Sequence, residues 1–508
     1  MSTRRIIINT VATYIRSVTA AALALFSSRW VLSALGSSDY GLFSVVGSII
    51  AIMLLLNYVL SASAARHFAY GIGKDDVEAV NQWFNSAFSI HLILPIVLIP
   101  LGWAIGEYCI AHILVIPSNR IFTCLWVFRI SLVAAFFSMI TTPFIAMFTA
   151  KQHLTETAIW DTLQSLLTFL LAFILTCITG DRLLFYAVGM VVIVACLQIG
   201  QSLRAMMIFR ECQVRYSQWL DAERCKQILS FALWSLFGNS GGLLRNQGIT
   251  ILLNLYFGPK VNAAYGISNV VSAQTGTLAN AMLGSFAPEI IASEGRGDRT
   301  RMLDLAMRAC KFGVLLVMLF AIPLIVEMDY VLKLWLHEPP QYAALFCQLM
   351  LVVFLIDLLT VGYMLAVSAH GRIAAYQVTL GTLSHMNLLL AWLFLKHGYA
   401  PTSVVFALII VSVILAVGRV LWGRHLLNMS VRGWITGVFI PCAAVAAVST
   451  LAAMSSAWLL TPSITRLILV IASSITATIL AGWFLALGFG ERDVIRRNIR
   501  RSWMWSFH

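Results

Sequence analysis

Leu35-Gly-Ser-Ser-Asp-Tyr-Gly-Leu-Phe-Ser-Val-Val46 is a short polar stretch between two long apolar runs, and it recurs. Phe257-Gly-Pro-Lys-Val-Asn-Ala-Ala-Tyr-Gly-Ile-Ser-Asn-Val-Val271 has the same outline: an apolar residue, Gly, a few polar residues, then Tyr-Gly and a second apolar run. The later copy is three residues longer. Two further junctions repeat. Phe148-Thr-Ala-Lys-Gln152 matches Val367-Ser-Ala-His-Gly371, and Tyr70-Gly-Ile-Gly-Lys-Asp75 matches Ser293-Glu-Gly-Arg-Gly-Asp298. Helix punctuation that returns half a chain length later marks a duplicated bundle.

What lies between these junctions sets the class. The chain has 508 residues, 60% of them hydrophobic and 11% charged, with a mean hydropathy of +0.88. The apolar residues come in runs of about 20 or more, the length that crosses a hydrocarbon layer as helix. The expected fold class is an all-α polytopic membrane protein. Met1-Ser-Thr-Arg-Arg leads into a long run with no compact apolar core or small-residue cleavage site, so the first helix reads as retained. The nine cysteines are scattered, mostly within apolar runs, and their spacing indicates neither disulfides nor a metal site.

The periodicity gives fourteen spans, the first two at 6–33 and 41–68 and the last two at 434–459 and 464–488. The chain then divides into an N-lobe at 1–209 (helices 1–6), a cytoplasmic linker at 210–226 and a C-lobe at 227–426 (helices 7–12). Two extra helices at 427–488 and a basic cytoplasmic tail at 489–508 complete it. The linker has the charged, amphipathic pattern of a surface helix. The formal net charge of +13 is not spread evenly: most Lys and Arg fall in alternate loops. That asymmetry places both termini in the cytoplasm and argues against nucleic acid as the partner. The tail, where Arg alternates with Trp and Phe, suits an anionic-lipid surface.

Four arginines fall inside spans: Arg16, Arg29, Arg129 and Arg245. A cation at the bilayer centre costs about 2.5–3.5 kcal/mol on insertion scales, so each must pair, snorkel or face water. Intramembrane acids are few, with Asp357 near the middle of helix ten and Asp161 at the start of helix five. A surplus of deep cation points to an anionic visitor. Ser235, Asn239, Gly242, Asn246 and Thr250 share a narrow sector of helix seven, and Asn9, Thr13, Arg16 and Ala20 share a ridge of helix one. Helix eight adds Asn269, Ser272, Gln274 and Asn280. Such faces serve either a polar cavity or close helix packing. Gly241-Gly242 and Gly248 suit packing or a bend, and Asp357 suits an arginine partner or a coupling cation. Glu107 and Glu327 read as interfacial. No phosphate loop, metal spacing or nucleophile–base pair is present, so the chain reads as no enzyme and needs no cofactor.

At the repeated hinges the pattern resembles a known family. Asn9 with Arg16, Arg29-Trp-Val-Leu-Ser-Ala-Leu-Gly36, Asp39-Tyr-Gly41 and Leu252-Leu-Asn-Leu-Tyr-Phe-Gly-Pro259 with Asn262-Ala-Ala264 look like the bacterial polysaccharide-transporter family. Ala287-Pro-Glu289, Leu334-Trp-Leu336, Asp357 and Gly371-Arg372 with Tyr376-Gln377 extend the likeness. That family sits with the multidrug and toxin extruders and the lipid II flippases in one exporter superfamily. The resemblance implies two six-helix lobes around a central cavity in the bacterial inner membrane, working by alternating access. Its cargo would be an undecaprenyl-diphosphate-linked oligosaccharide, carried to the periplasmic leaflet for surface polysaccharide synthesis, with polysaccharide polymerase machinery as a further partner. Arg16, Arg29 and Arg66 match the family pattern; Tyr265 stands where many members carry Arg. The residues expected to bind substrate are therefore Arg16, Arg29, Arg66, Arg129, Arg245, Asn239, Asn246 and Gln274, with Asp357 the ion-coupling candidate. Two rivals remain: an ion-coupled multidrug antiporter of the same fold, which would want an acid-rich cavity, and a membrane glycan polymerase or ligase, which would want a large periplasmic loop.

Overall fold

Apolar runs fold as helices in a bilayer because the backbone there must satisfy its own N–H and C=O groups. The computed structural model describes residues 3–219, 221–371, 374–488 and 490–493; for 3–18 and a few helical positions, Asn239 and Asn280 among them, only the backbone is described. The N-terminal ridge side chains, Arg372 and residues 494–508 of the basic tail therefore lie outside the described residues. Helices α1 to α6 are Thr3–Met53, Leu55–Gly73, Val77–Tyr108, Ile121–Ala150, Leu154–Cys177 and Arg182–Ile208. Helices α7 to α12 are Ala222–Leu243, Ile249–Phe257, Pro259–Gly295, Arg299–Leu336, Ala343–Leu358 and Val361–His370. Helices α13 to α17 are Ala374–Lys396, Ser403–Leu427, Val431–Trp434, Ile440–Leu459 and Ile464–Ala481. There is no strand among the described residues.

The quoted stretch breaks at one residue. Gly36 divides α1 with φ 74° and ψ 168°, a region essentially reserved for glycine. Gly258, between α8 and α9, has φ 76° and ψ −174°, the same conformation. The duplication is thus one of backbone geometry. Gln152 and Gly371, ahead of α5 and α13, both have positive φ, 56° and 85°. Gly180 and Gly398, ahead of α6 and α14, do likewise. At the remaining junction the left-handed residues are Asp75 and Gly297, and the next residue caps a helix: Asp76 accepts from Ala79 N and Asp298 from Arg301 N. The sequence match of Asp75 to Asp298 is therefore one residue out; Asp76 is the counterpart of Asp298.

The polar residues after each glycine are the first turn of the next helix and not a loop. Pro259 starts α9, where a missing N–H matters least. The two hinges meet. A Cβ on Gly41 would lie 1.8 Å from the Pro259 carbonyl oxygen, and one on Gly266 would lie 3.1 Å from the Tyr40 ring. Each Tyr-Gly pair thus supplies a glycine for the approach of the other hinge.

Ten helices among the described residues are long and apolar enough to cross a membrane, or eleven if α11 and α12, bent by 42°, count as one broken span. Every one of the fourteen expected spans coincides with helix, but α7–α8 and α9 are too polar to qualify by composition, and α1 counts once although Gly36 divides it. Among the described residues, the expected linker helix does not form ahead of α7, which begins at Ala222. Residues 210–218 form two short 3-10 turns, pinned by Asn81, which donates to the Glu211 and Gln213 carbonyls, and by Lys151, 2.6 Å from Glu211. These bonds tie the segment to α3 and to the end of α4.

The chain falls into two compact units, residues 1–270, 339–343 and 377–407, and residues 271–338, 344–376 and 408–508. The first packs an aromatic core in which Phe84 meets Phe144 edge-on and Phe148 meets Phe209. In the second, α10 carries α12, α16 and α17. Gly362 of α12 sits so close to α10 that a Cβ would overlap the Ala306 carbonyl. Such small-residue contacts hold helices where lipid removes the hydrophobic drive.

Candidate functional site

The first unit contains a cavity of about 630 Å³. One wall is the helix that leads to Gly36, through Ala20, Ala24, Ser27, Ser28 and Val31. A second wall is α5, whose Asp161, Gln164, Ser165 and Thr168 recur at helical spacing on one face. Gln247 and Thr250 come from the segment before Gly258, and Gly266 and Asn269 from α9. Tyr40 and Tyr186 complete the lining, the latter set edge-on against Phe43 at 5.0 Å. Hydroxyls and carboxamides dominate. Asp161 is the only charged side chain among the described lining residues. Residue 16 falls one helical turn before Ala20 on the lining face of α1, its side chain outside the described residues.

Of the expected substrate residues, those whose side chains are described do not line this cavity. Arg29 is half-buried, next to the lining residue Ser28. Arg66 stacks over the Phe231 ring at 4.5 Å. Arg129 is held by Glu107 at 2.6 Å, with Trp103 and Trp126 beside its guanidinium. Asn239 lies on α7 with its side chain outside the described residues, Asn246 is half-buried, and Gln274 lies half-buried on α9 in the second unit. Arg245 lines a different pocket with His385. The helix-seven sector is reset by a π-turn at Leu244–Gly248 that links α7 to α8, so a 3.6-residue wheel drawn through Ser235 and Thr250 loses its register. Gly241 and Gly248 pack on α13, where Cβ atoms would lie 2.7 Å from Ser384 Oγ and from Leu388 Cδ1; Gly242 faces open space.

In the second unit Asp357 stands at the break between α11 and α12. Arg419 Nη1 donates to its carboxylate at 3.4 Å and to Thr360 Oγ1 at 3.2 Å, and Trp434 Nε1 donates to the Leu359 carbonyl. Broken helices in membranes survive when other groups take up the freed carbonyls, as here. Glu327 is not interfacial. It is buried at a kink in α10 (φ −105°, ψ 18°) and held by Arg466, whose Nη2 donates to its Oε2 at 2.8 Å. Sequence reading also missed Lys311, buried in α10 and donating to Glu491 at 2.6 Å and to the Ala486 carbonyl.

Comparison with solved structures shows the fold, one that this chain shares with transporters described as members of the MOP superfamily. The lipid II flippase MurJ, in an inward closed conformation, matches with a TM-score of 0.66 at 12% identity, covering 96% of this chain and 100% of its own. An inward-facing multidrug-resistance MATE transporter matches with a TM-score of 0.64 at 15% identity, covering 82% and 98%. A MOP-superfamily transporter from Pyrococcus furiosus gives 0.59 at 15% identity, covering 83% and 95%. No protein-family model matches the sequence, and no curated protein matches it by sequence.

Proposed function

We propose that this chain is a flippase that carries an undecaprenyl-diphosphate-linked oligosaccharide from the cytoplasmic to the periplasmic leaflet of a bacterial inner membrane by alternating access. The observation that carries the reading is the cavity lining: hydroxyl and amide groups from α1, α5, α6, α9 and the segment before Gly258, with one carboxylate, Asp161, among them. Each hydroxyl or carboxamide both donates and accepts, which is what a sugar presents in return. A pocket of this size is within the usual range of ligand sites. Arg16, one turn along the lining face, would meet the diphosphate, which hydrocarbon would otherwise refuse. The basic loops favour cytoplasmic termini, and the lobes at 1–209 and 227–426 would rock about the paired hinges. The fuller match to the lipid II flippase, 96% of this chain against 82% for the multidrug transporter, agrees in length with a chain that carries two helices beyond its repeats.

Asp161 favours a second reading. A carboxylate in the cavity is what a cationic drug or a coupling cation would seek, as in an ion-coupled multidrug antiporter. Two variants separate them. In cells that depend on this gene for surface polysaccharide, Arg16→Gln is expected to lower surface glycan and accumulate lipid-linked repeat units, while Asp161→Asn retains export. If Asp161→Asn instead abolishes resistance to cationic drugs and Arg16→Gln leaves glycan unchanged at equal protein level, the antiporter reading replaces the flippase.

A further inference from the structure

One repeated junction carries chemistry that the cavity does not use. Phe148-Thr-Ala-Lys-Gln152 and Val367-Ser-Ala-His-Gly371 put Lys151 and His370 at the same place, each just ahead of a left-handed residue. In the first repeat the cation is permanent, and Lys151 Nζ lies 2.6 Å from Glu211. In the second it is a histidine, the side chain whose charge changes between pH 5 and 8. His370 ends α12, the shorter half of the broken span. Its Nδ1 lies 3.0 Å from Arg299 Nη2, at the head of α10, and 2.9 Å from Glu294 Oε1, near the end of α9. Arg299 also pairs with Glu294 directly and reaches the Leu426 carbonyl of α14 at 3.5 Å. One nitrogen cannot serve both neighbours in the same way. An uncharged imidazole can offer a bare Nδ1 to the guanidinium, whereas an imidazolium carries hydrogen on both nitrogens and can only donate.

We propose that His370 is a proton-operated switch that exchanges the partner of α12: uncharged, it accepts a hydrogen bond from Arg299 of α10, and protonated, it donates one to Glu294 of α9. The proton comes from water, since 21% of the His370 side chain stays exposed. The remaining charges at these helix ends are engaged or of fixed sign. Glu289 pairs with Arg296 and Arg301, Asp298 caps α10, and Asp304 pairs with Arg308. The last turn of α14 adds Arg424 and His425, the latter edge-on to Trp422. Glu294 stays ionised through the histidine range, held below the usual carboxylate range by the hydrogen bond from Arg299. The helix is placed to pivot. It bends by 42° from α11, Gly362 rests directly on the Ala306 carbonyl of α10, and Gly371 turns the chain after His370 with φ 85°. The switch involves no cargo, so it stands or falls apart from the flippase reading.

Hydrogen exchange of the purified full chain, read by mass spectrometry at about pH 5 and about pH 8 and corrected for intrinsic rates, tests this. In wild type, acid is expected to protect the last turn of α12, through the charge-assisted bond to Glu294. It should loosen the first turn of α10, where Arg299 loses an acceptor and gains a like charge. Each change should be about three- to tenfold in exchange rate, the worth of one hydrogen bond. His370→Lys, which fixes the charge as Lys151 does, should show the acid pattern at both pH values. His370→Gln should show no pH response, and it serves alone if the lysine variant does not fold. His425→Gln should respond as wild type does. Wild-type helix ends that exchange alike at both pH values overturn the switch. So does a pH response that persists in His370→Gln or disappears in His425→Gln.

Discussion

At the scale of single residues, several charges on the apolar helices turn out to be paired. Arg129 and Glu107 neutralise each other, and so do Glu327 and Arg466. The first pair could have been read from the chain, since both partners were singled out. Nothing local in the sequence connects Arg466 to Glu327, 139 positions away. The depth of Lys311 depends on where its helix starts; α10 begins at Arg299, which puts Lys311 about 18 Å into the helix. The Glu327 side chain is 0% exposed, so Arg466→Ala strands a buried carboxylate and is expected to cost about 3–5 kcal/mol, read as a lowered Tm in detergent. Replacing both partners with apolar residues of similar volume should be close to neutral; an equally damaging double change would refute that assignment. Glu294, at the end of α9, is held below the usual carboxylate range by the hydrogen bond from Arg299, with His370 adding to it. A depressed carboxylate stabilises the fold above its unfolded pKa and loses that stabilisation as pH falls through the folded value. Melting curves in acid should therefore show wild type losing an advantage over Glu294→Gln that is present near neutrality; a pH-independent gap between the two would contradict this.

At the scale of elements, the hinges were legible and their form was not. Polar residues between apolar runs announced a break, but a single left-handed glycine makes the turn and the polar residues begin the next helix. Neither composition nor periodicity distinguishes those two solutions. The π-turn at Leu244–Gly248 was equally hidden, since its five residues have no spacing signal of their own. The α5 stripe of Asp161, Gln164, Ser165 and Thr168 did carry a signal at helical spacing and was passed over because only Asp161 is charged. If the hinge conformation is what the duplication preserves, Gly36→Ala and Gly258→Ala should each destabilise by about 1–3 kcal/mol, the strain of a non-glycine residue in that region. No atom lies within 3.4 Å of the added methyl at either site, so crowding does not enter. Gly47→Ala, in mid-helix with open space around it, should be neutral or stabilising by up to about 1 kcal/mol. Thermal melts of the three variants decide it, and equal effects at positions 36, 47 and 258 would remove the special role of the hinges.

At the scale of the whole molecule, the sequence disclosed the helical class and the duplication, because hydrophobic run length and repeated punctuation are local properties that survive without a structure. The site was less legible. A cavity depends on which faces of distant helices converge, and Arg29, Arg66 and Arg129 take half-buried, stacked and paired positions while mostly neutral side chains line the space. The central claim is that this lining passes a sugar attached to a lipid. The most direct measurement is reconstitution into vesicles carrying a fluorescent undecaprenyl-diphosphate-linked oligosaccharide, with a sugar-specific reagent outside that cannot cross the bilayer. The account predicts that wild type exposes the inner-leaflet pool to the reagent, and that Gln164→Ala with Asn269→Ala slows this while the protein stays folded. An inner-leaflet pool that remains protected with folded wild-type protein, under an imposed ion gradient and without one, would contradict it.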